Sequence, residues 1–196
     1  MMLFLLSSVF AHPFSTDEYS LRSSVQVTEK GVSMLVAMEV PIPRALKEIG
    51  AKKEESKRVK QKKIDTYTKK QWKLLGDALS YTIDGVPQKG KWFPIDDPSN
   101  GKAAEGFFVY LITFKAKKKP KLNEGSVIEL INTAYPAEKM VYSASVYDSD
   151  VWSIKSSTAN DVLGENQFSP ITSEERWTRD ETLRNLTFTI QKPQKK

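Results

Sequence analysis

The chain contains no cysteine, so disulfide bracing, cysteine nucleophiles and lipid anchoring through a cysteine behind a leader are all excluded. It has one histidine, His12, which rules out a copper site built from two histidines of one chain. No glycine-rich phosphate loop follows a strand. A mean hydropathy of −0.45 and the lack of a long apolar run argue that this is not an integral membrane protein. Disorder is excluded as well, because 39% of the residues are hydrophobic and 10% aromatic, enough to build a packed core.

What is present begins with Leu3-Phe4-Leu5-Leu6-Ser7-Ser8-Val9-Phe10-Ala11, an apolar stretch closing on a small-residue pattern of the kind signal peptidase accepts. The expectation is a leader over residues 1–11, cleavage near Ala11, and a periplasmic or secreted location. A single β-rich domain is expected over residues 12–191, with a helical insertion at about 43–78 and a basic tail at 192–196.

The strand pattern carries the fold class. Tyr19 to Val27 alternates with one polar, wet face, Thr28 to Gly31 turns, and Ser33 to Val40 returns as an almost wholly apolar strand suited to the middle of a sheet. Pro41 and Pro43 end it and open a helical region running from Arg44 to Ala78. That region reads as two helices separated by Gly50 and the Lys52 to Lys63 run, which is nearly devoid of apolar residues. Leu79 to Ile83 meets Asp84-Gly85, a two-residue hairpin signal, and Val86 to Phe93 is its expected partner. Phe107 to Phe114 is the most strand-like segment, Ser126 to Ile131 follows, and Val141–Tyr147 with Val151–Ile154 brackets a further hairpin turn at Asp148-Ser149-Asp150. A polar stretch from Lys155 to Asp180, holding Trp177 as the cover of a sheet edge, precedes a last strand at Leu186 to Ile190. These elements predict a mainly β fold, an antiparallel β-sandwich with an α-helical insertion. The alternative is an α+β fold in which a long helix covers a single antiparallel sheet.

The net charge of +6 is concentrated rather than spread. Lys52, Lys53, Lys57, Arg58, Lys60, Lys62 and Lys63 form one cluster and Lys117, Lys118 and Lys119 another, and these are the candidate anion-binding residues. The expected partner is an anionic envelope component or a membrane protein. Nucleic acid is excluded by the expected export and by the lack of a recognisable binding motif.

His12 is the candidate metal ligand. As the first residue after cleavage it offers its α-amine and imidazole Nδ1 to copper or nickel, while Pro13 withholds a backbone donor. Asp17, Glu18 or Tyr19 could complete a mixed site. Asp96, Asp97 and Glu105 lie near Trp92 and Phe93, the makings of a carbohydrate-hydrolysing pair, yet Asp96-Asp97-Pro98-Ser99-Asn100 has turn composition. A non-enzymatic binding or scaffolding domain is therefore preferred to a hydrolase.

The order of features is also similar to a known group. His12-Pro13 after the leader, a strand pair ending at Glu39-Val40-Pro41, a helical stretch, Tyr81-Thr82-Ile83-Asp84-Gly85, the Phe107 to Lys115 strand and Gly125-Ser126-Val127-Ile128-Glu129-Leu130 carry the likeness. Over about Ala11 to Val151 the chain resembles the extracytoplasmic soluble domain that precedes the membrane part of hydrogenase/urease-accessory-type nickel/cobalt transporters. The resemblance implies a β-rich periplasmic module acting as a metal-handling accessory. The chain departs from that pattern in having no transmembrane helices after this region and no histidine-rich loop.

Overall fold

A computed structural model describes residues 18–104, 106–136, 138–163 and 177–193. Strands β1 (Tyr19–Thr28) and β2 (Gly31–Pro41) form the expected hairpin, with Ser20 opposite Glu39 and Thr28 opposite Gly31. Helix α1 (Ile42–Glu48) follows directly, with proline in its first turn, and α2 (Lys57–Ala78) is the long helix. The remaining strands are β3 (Leu79–Ile83), β4 (Val86–Pro87), β5 (Gly90–Pro94), β6 (Ala103–Ala104), β7 (Phe107–Ala116), β8 (Val127–Asn132), β9 (Met140–Tyr147), β10 (Ser153–Ser157), β11 (Asp161–Leu163) and β12 (Asn185–Gln191).

The protein is mainly β and has two sheets, as the strand pattern predicts. One is ordered β11-β9-β1-β2-β7-β5, with β6 also on β7; the other is ordered β10-β12-β8-β3-β4. The ladders are antiparallel except for β1 with β9 and β9 with β11, which are parallel. Alternate residues of both sheets meet in one apolar cluster. Leu21, Val25, Val36, Met38, Tyr110, Ile112 and Val146 come from the first sheet, Ile128, Leu130, Leu186, Phe188 and Ile190 from the second, and Leu75 from α2. Burying side chains of this size contributes roughly 1.5–3 kcal/mol each, which replaces the bracing that cysteine would have given.

The structure corrects four local expectations. First, Lys57 to Lys63 is not part of the break between helices but the opening turns of α2, started by Ser56, whose side chain accepts the Val59 N–H. Lysine is a good helix former, so a run without apolar residues reports an exposed surface and not an interrupted backbone. Second, Val86 to Phe93 does not stay with one partner: Val86 and Pro87 pair with β3, whereas Gly90 to Pro94 crosses to the other sheet and pairs with β7. Third, Asp148 to Asp150 is a crossing between sheets and not a hairpin turn. β9 lies in the first sheet and β10 in the second, with the Asp148 carboxylate accepting the Ile154 N–H and Ser149 N–H bonded to the Trp152 carbonyl. Fourth, the polar face of β1 is dry: Ser20, Arg22 and Ser24 are all buried. β1 is an interior strand, and Ser20 Oγ donates to Glu39 Oε2 at 2.5 Å. Burial draws the Arg22 guanidinium down, and the Glu39 carboxylate opposes that shift.

The polar stretch after Lys155 also supplies β11, which the sequence pattern does not reveal. Beyond β11, the edge of β9 is met by Thr178, which exchanges both backbone hydrogen bonds with Tyr142 beside Trp177.

Candidate functional site

The first basic cluster surrounds the start of α2. Lys52, Lys53, Lys57, Arg58 and Lys62 are exposed. Lys60 and Lys63 are spent on structure: Lys60 Nζ donates to the Lys53 carbonyl at 3.0 Å, and Lys63 Nζ donates to the Gly50 carbonyl at 2.8 Å and to Glu55 at 2.6 Å. The Lys63 ammonium holds the Glu55 carboxyl below its ordinary range. No acidic residue occupies the first turn of α2, where Lys57 and Arg58 stand instead. The helix macrodipole and these side chains therefore carry the same sign at that end.

A groove of about 570 Å³ runs along this face, lined by Glu48, Val59, Lys62, Thr66, Tyr67 and Lys70 among others. Glu48 accepts from the Tyr19 hydroxyl at 2.8 Å and from the Tyr67 hydroxyl at 3.0 Å. Burial and the neighbouring carboxylate push both hydroxyls well above the ordinary tyrosine range. The groove thus has a neutral tyrosine base, one carboxylate fixed by hydrogen bonds, and lysines at its rim.

Lys117, Lys118 and Lys119 are exposed, but the structure does not bring them to the first cluster. β7 begins opposite Pro41, beside α1, and ends at Ala116 opposite Gly90. Its ten residues separate the two clusters by roughly 30 Å along the strand. At that far end Lys117 donates its N–H to the Lys89 carbonyl at 2.9 Å, and Lys91 lies directly opposite Lys115.

The remaining candidates separate in the same way. His12 and Glu105 lie outside the described residues. Among the described residues no group of three or more His, Cys, Asp or Glu side chains is arranged to hold a metal ion. Asp97 accepts from the Ser99 N–H at 2.7 Å and from its hydroxyl at 2.5 Å. These bonds hold the carboxyl below its ordinary range, the reverse of what a general acid requires, and Asp96 beside it is exposed. The pair acts as turn chemistry.

Sequence reasoning missed a second cavity, a cleft of about 710 Å³ where the edges of the two sheets face each other. β4 is two residues long, so most of the gap between β3 and β5 has no strand across it, and the C-terminal half of α2 forms the third wall. Trp72, Trp92, Phe114 and Tyr81 line it, with Lys73, Asp77, Ser80, Gln88 and Lys91 as polar members. Trp92 is the available signal, but its ring packs on Phe114, with Trp72 lining the same cleft, rather than on the carboxylates that follow it in the chain. Neither a protein-family model nor a curated protein matches the chain.

Proposed function

We propose that the protein is an exported, non-enzymatic binding module that contacts an anionic envelope component through the basic face at the start of α2. The observation that carries this reading is the positive end of a 22-residue helix with no acid in its first turn and exposed Lys52, Lys53, Lys57, Arg58 and Lys62 around it, outnumbering Glu54 and Glu55 before the cap. Such an arrangement works against the stability of the isolated helix, and an anion placed there relieves it. The groove beside it, with Lys62 and Lys70 on its rim, provides a concave surface for part of such a partner. The second lysine cluster, on the opposite end of the molecule, is a separate surface.

The test compares the wild-type chain with a triple variant, Lys57→Glu, Arg58→Glu and Lys62→Glu, in cosedimentation with phosphatidylglycerol vesicles and retention on an immobilised anionic polysaccharide. Acidic residues suit a helix N-terminus, so the variant is expected to fold at least as stably as the wild type. Binding at low salt should fall at least ~tenfold in the variant, and should weaken in the wild type as the screening length shrinks from about 30 Å at 0.01 M to about 8 Å at 0.15 M. The vesicle and polysaccharide arms identify which source of negative charge is recognised. Equal binding by both proteins, or no binding by the wild type at low salt, refutes the reading. N-terminal sequencing of the protein from its native compartment tests export, with a start at or near His12 as the expected result.

A further inference from the structure

We propose that the aromatic cleft between β3, β5 and the end of α2 is a binding site for an acidic saccharide, its ring stacked on the tryptophans and its carboxylate held by lysine at the cleft mouth. This inference concerns a site distinct from the basic face of α2 and does not rest on that reading.

The cleft has the size of a ligand site, since such sites span about 300–1,000 Å³. Trp72, Trp92 and Phe114 are half-buried, Tyr81 is buried, and each ring is fixed. The Trp72 indole donates to Asn100 Oδ1 at 3.0 Å, and Asn100 is itself tied to the chain: its side-chain amide donates to the Ile95 and Leu111 carbonyls and its Oδ1 accepts the Leu111 N–H. Trp92 packs on Phe114 with ring centroids 5.2 Å apart, and Phe114 packs edge-on against Tyr81 at 5.3 Å. Rings immobilised before binding lose little further freedom when a ligand arrives.

The chemistry of the walls selects the ligand class. A sugar ring has apolar C–H faces and a polar equator, which match an indole wall rimmed by Ser80, Gln88 and Asp77. A wholly apolar ligand would cover the exposed Ser80 hydroxyl without offering it a partner. Charge selects further. Lys73 is neutralised within the cleft by its ion pair with Asp77. Lys91, also lining the cleft, stands directly across the β5/β7 ladder from Lys115, with Lys89 and Lys117 the next pair along. Lys91 has no acidic partner among the described residues, and a carboxylate at the cleft mouth supplies one.

The full chain is titrated with short oligomers of galacturonic acid and of mannuronic acid, and with a neutral glucose oligomer of the same length. Tryptophan emission and calorimetry are the readouts. At least one acidic oligomer is expected to bind saturably and at least ~tenfold more tightly than the neutral one, with affinity falling as salt rises. Trp92→Ala should lose at least ~tenfold in affinity. Trp92→Phe, which keeps a ring, retains most of the binding and serves if the alanine variant fails to fold. Lys91→Gln should lose about three- to tenfold at low salt only. The triple charge reversal on α2 leaves these affinities unchanged, and Trp92→Ala leaves vesicle binding unchanged, so the two readings fail independently. Absence of saturable binding by both acidic oligomers, equal affinity for the neutral one, or wild-type affinity in a folded Trp92→Ala overturns the proposal.

Discussion

Gly90 offers the sharpest test of how the cleft is built. It opens β5 directly opposite Ala116, and a Cβ added there would lie 2.3 Å from Phe114 Cζ, 2.8 Å from Phe114 Cε1 and 2.5 Å from the Lys115 carbonyl oxygen. A ring tip alone can swing aside. Phe114, however, is held between Tyr81 and Trp92, and the Lys115 carbonyl belongs to the backbone of the neighbouring strand. Overpacking costs about 1–3 kcal/mol, and a forced backbone shift places Gly90→Ala at about 2–3. The reduced entropy of the unfolded alanine chain returns about 0.5–1 kcal/mol, leaving a net loss of about 1–2.5 kcal/mol. At roughly 2–4 °C per kcal/mol for a chain of this size, the melting temperature should fall by about 2–10 °C. Gly76→Ala is the milder case on the other wall: its Cβ would meet Trp92 Cβ at 3.3 Å, which a shift of a few tenths of an ångström relieves, while alanine gains up to about 1 kcal/mol in a helix interior. Urea unfolding followed by tryptophan fluorescence and circular dichroism measures both. A Gly90→Ala variant as stable as the wild type refutes the close approach of β5 to Phe114.

Tyr81 gives a prediction of opposite sign. The residue is 4% exposed and its hydroxyl has no hydrogen-bond partner among the described residues, so Tyr81→Phe should stabilise the protein by about 1 kcal/mol, read as a higher urea midpoint. A loss greater than about 0.5 kcal/mol would show that the hydroxyl is satisfied after all. Alkaline stability follows from the tyrosine cluster. Burial raises Tyr67, Tyr81, Tyr110 and Tyr135 above the ordinary value of 10.0. The neutral hydroxyls are favoured in the folded state, so their contribution is fully present below pH 10 and is lost as the pH climbs beyond it. Each contributes at most about 1.4 kcal/mol per pH unit, less where water reaches the groove. Tyrosinate absorbance and loss of circular dichroism should therefore rise together, as one cooperative transition above pH 10. Independent ionisation near pH 10 with the fold intact would contradict the burial of these groups.

The elements most legible in the sequence are those fixed by local chemistry. Asp84-Gly85 announces its hairpin because that turn needs two residues at positive φ, and they adopt 51° and 72°. β7 declares itself through branched and aromatic residues on both faces, and it lies inside its sheet, between β2 and β5. Alternation identifies an apolar face but not the strand that will pair with it. For that reason the transfers between sheets near Gln88 and at Asp148 are invisible in the pattern. The cleft is invisible for the same cause: Trp72, Trp92 and Phe114 lie in separate elements and converge only where two sheet edges meet. The basic clusters were readable as composition, whereas the diversion of Lys60 and Lys63 into holding the loop before α2 was not.

The parallel pairing of β1 with β9 bears on how the chain reaches this structure. β1 can join β2 as soon as the hairpin is made, yet its other edge waits for Met140 to Tyr147, and Gln26 finally reaches the Asp148 carbonyl across 122 residues of sequence. Contacts of such separation slow folding, because a long loop must close before they repay its entropy. During synthesis the early hairpin therefore stands with one hydrogen-bonding edge open, able to pair with another chain. Emergence of Met140 to Tyr147, rather than of the hairpin itself, sets the moment at which that edge is sealed.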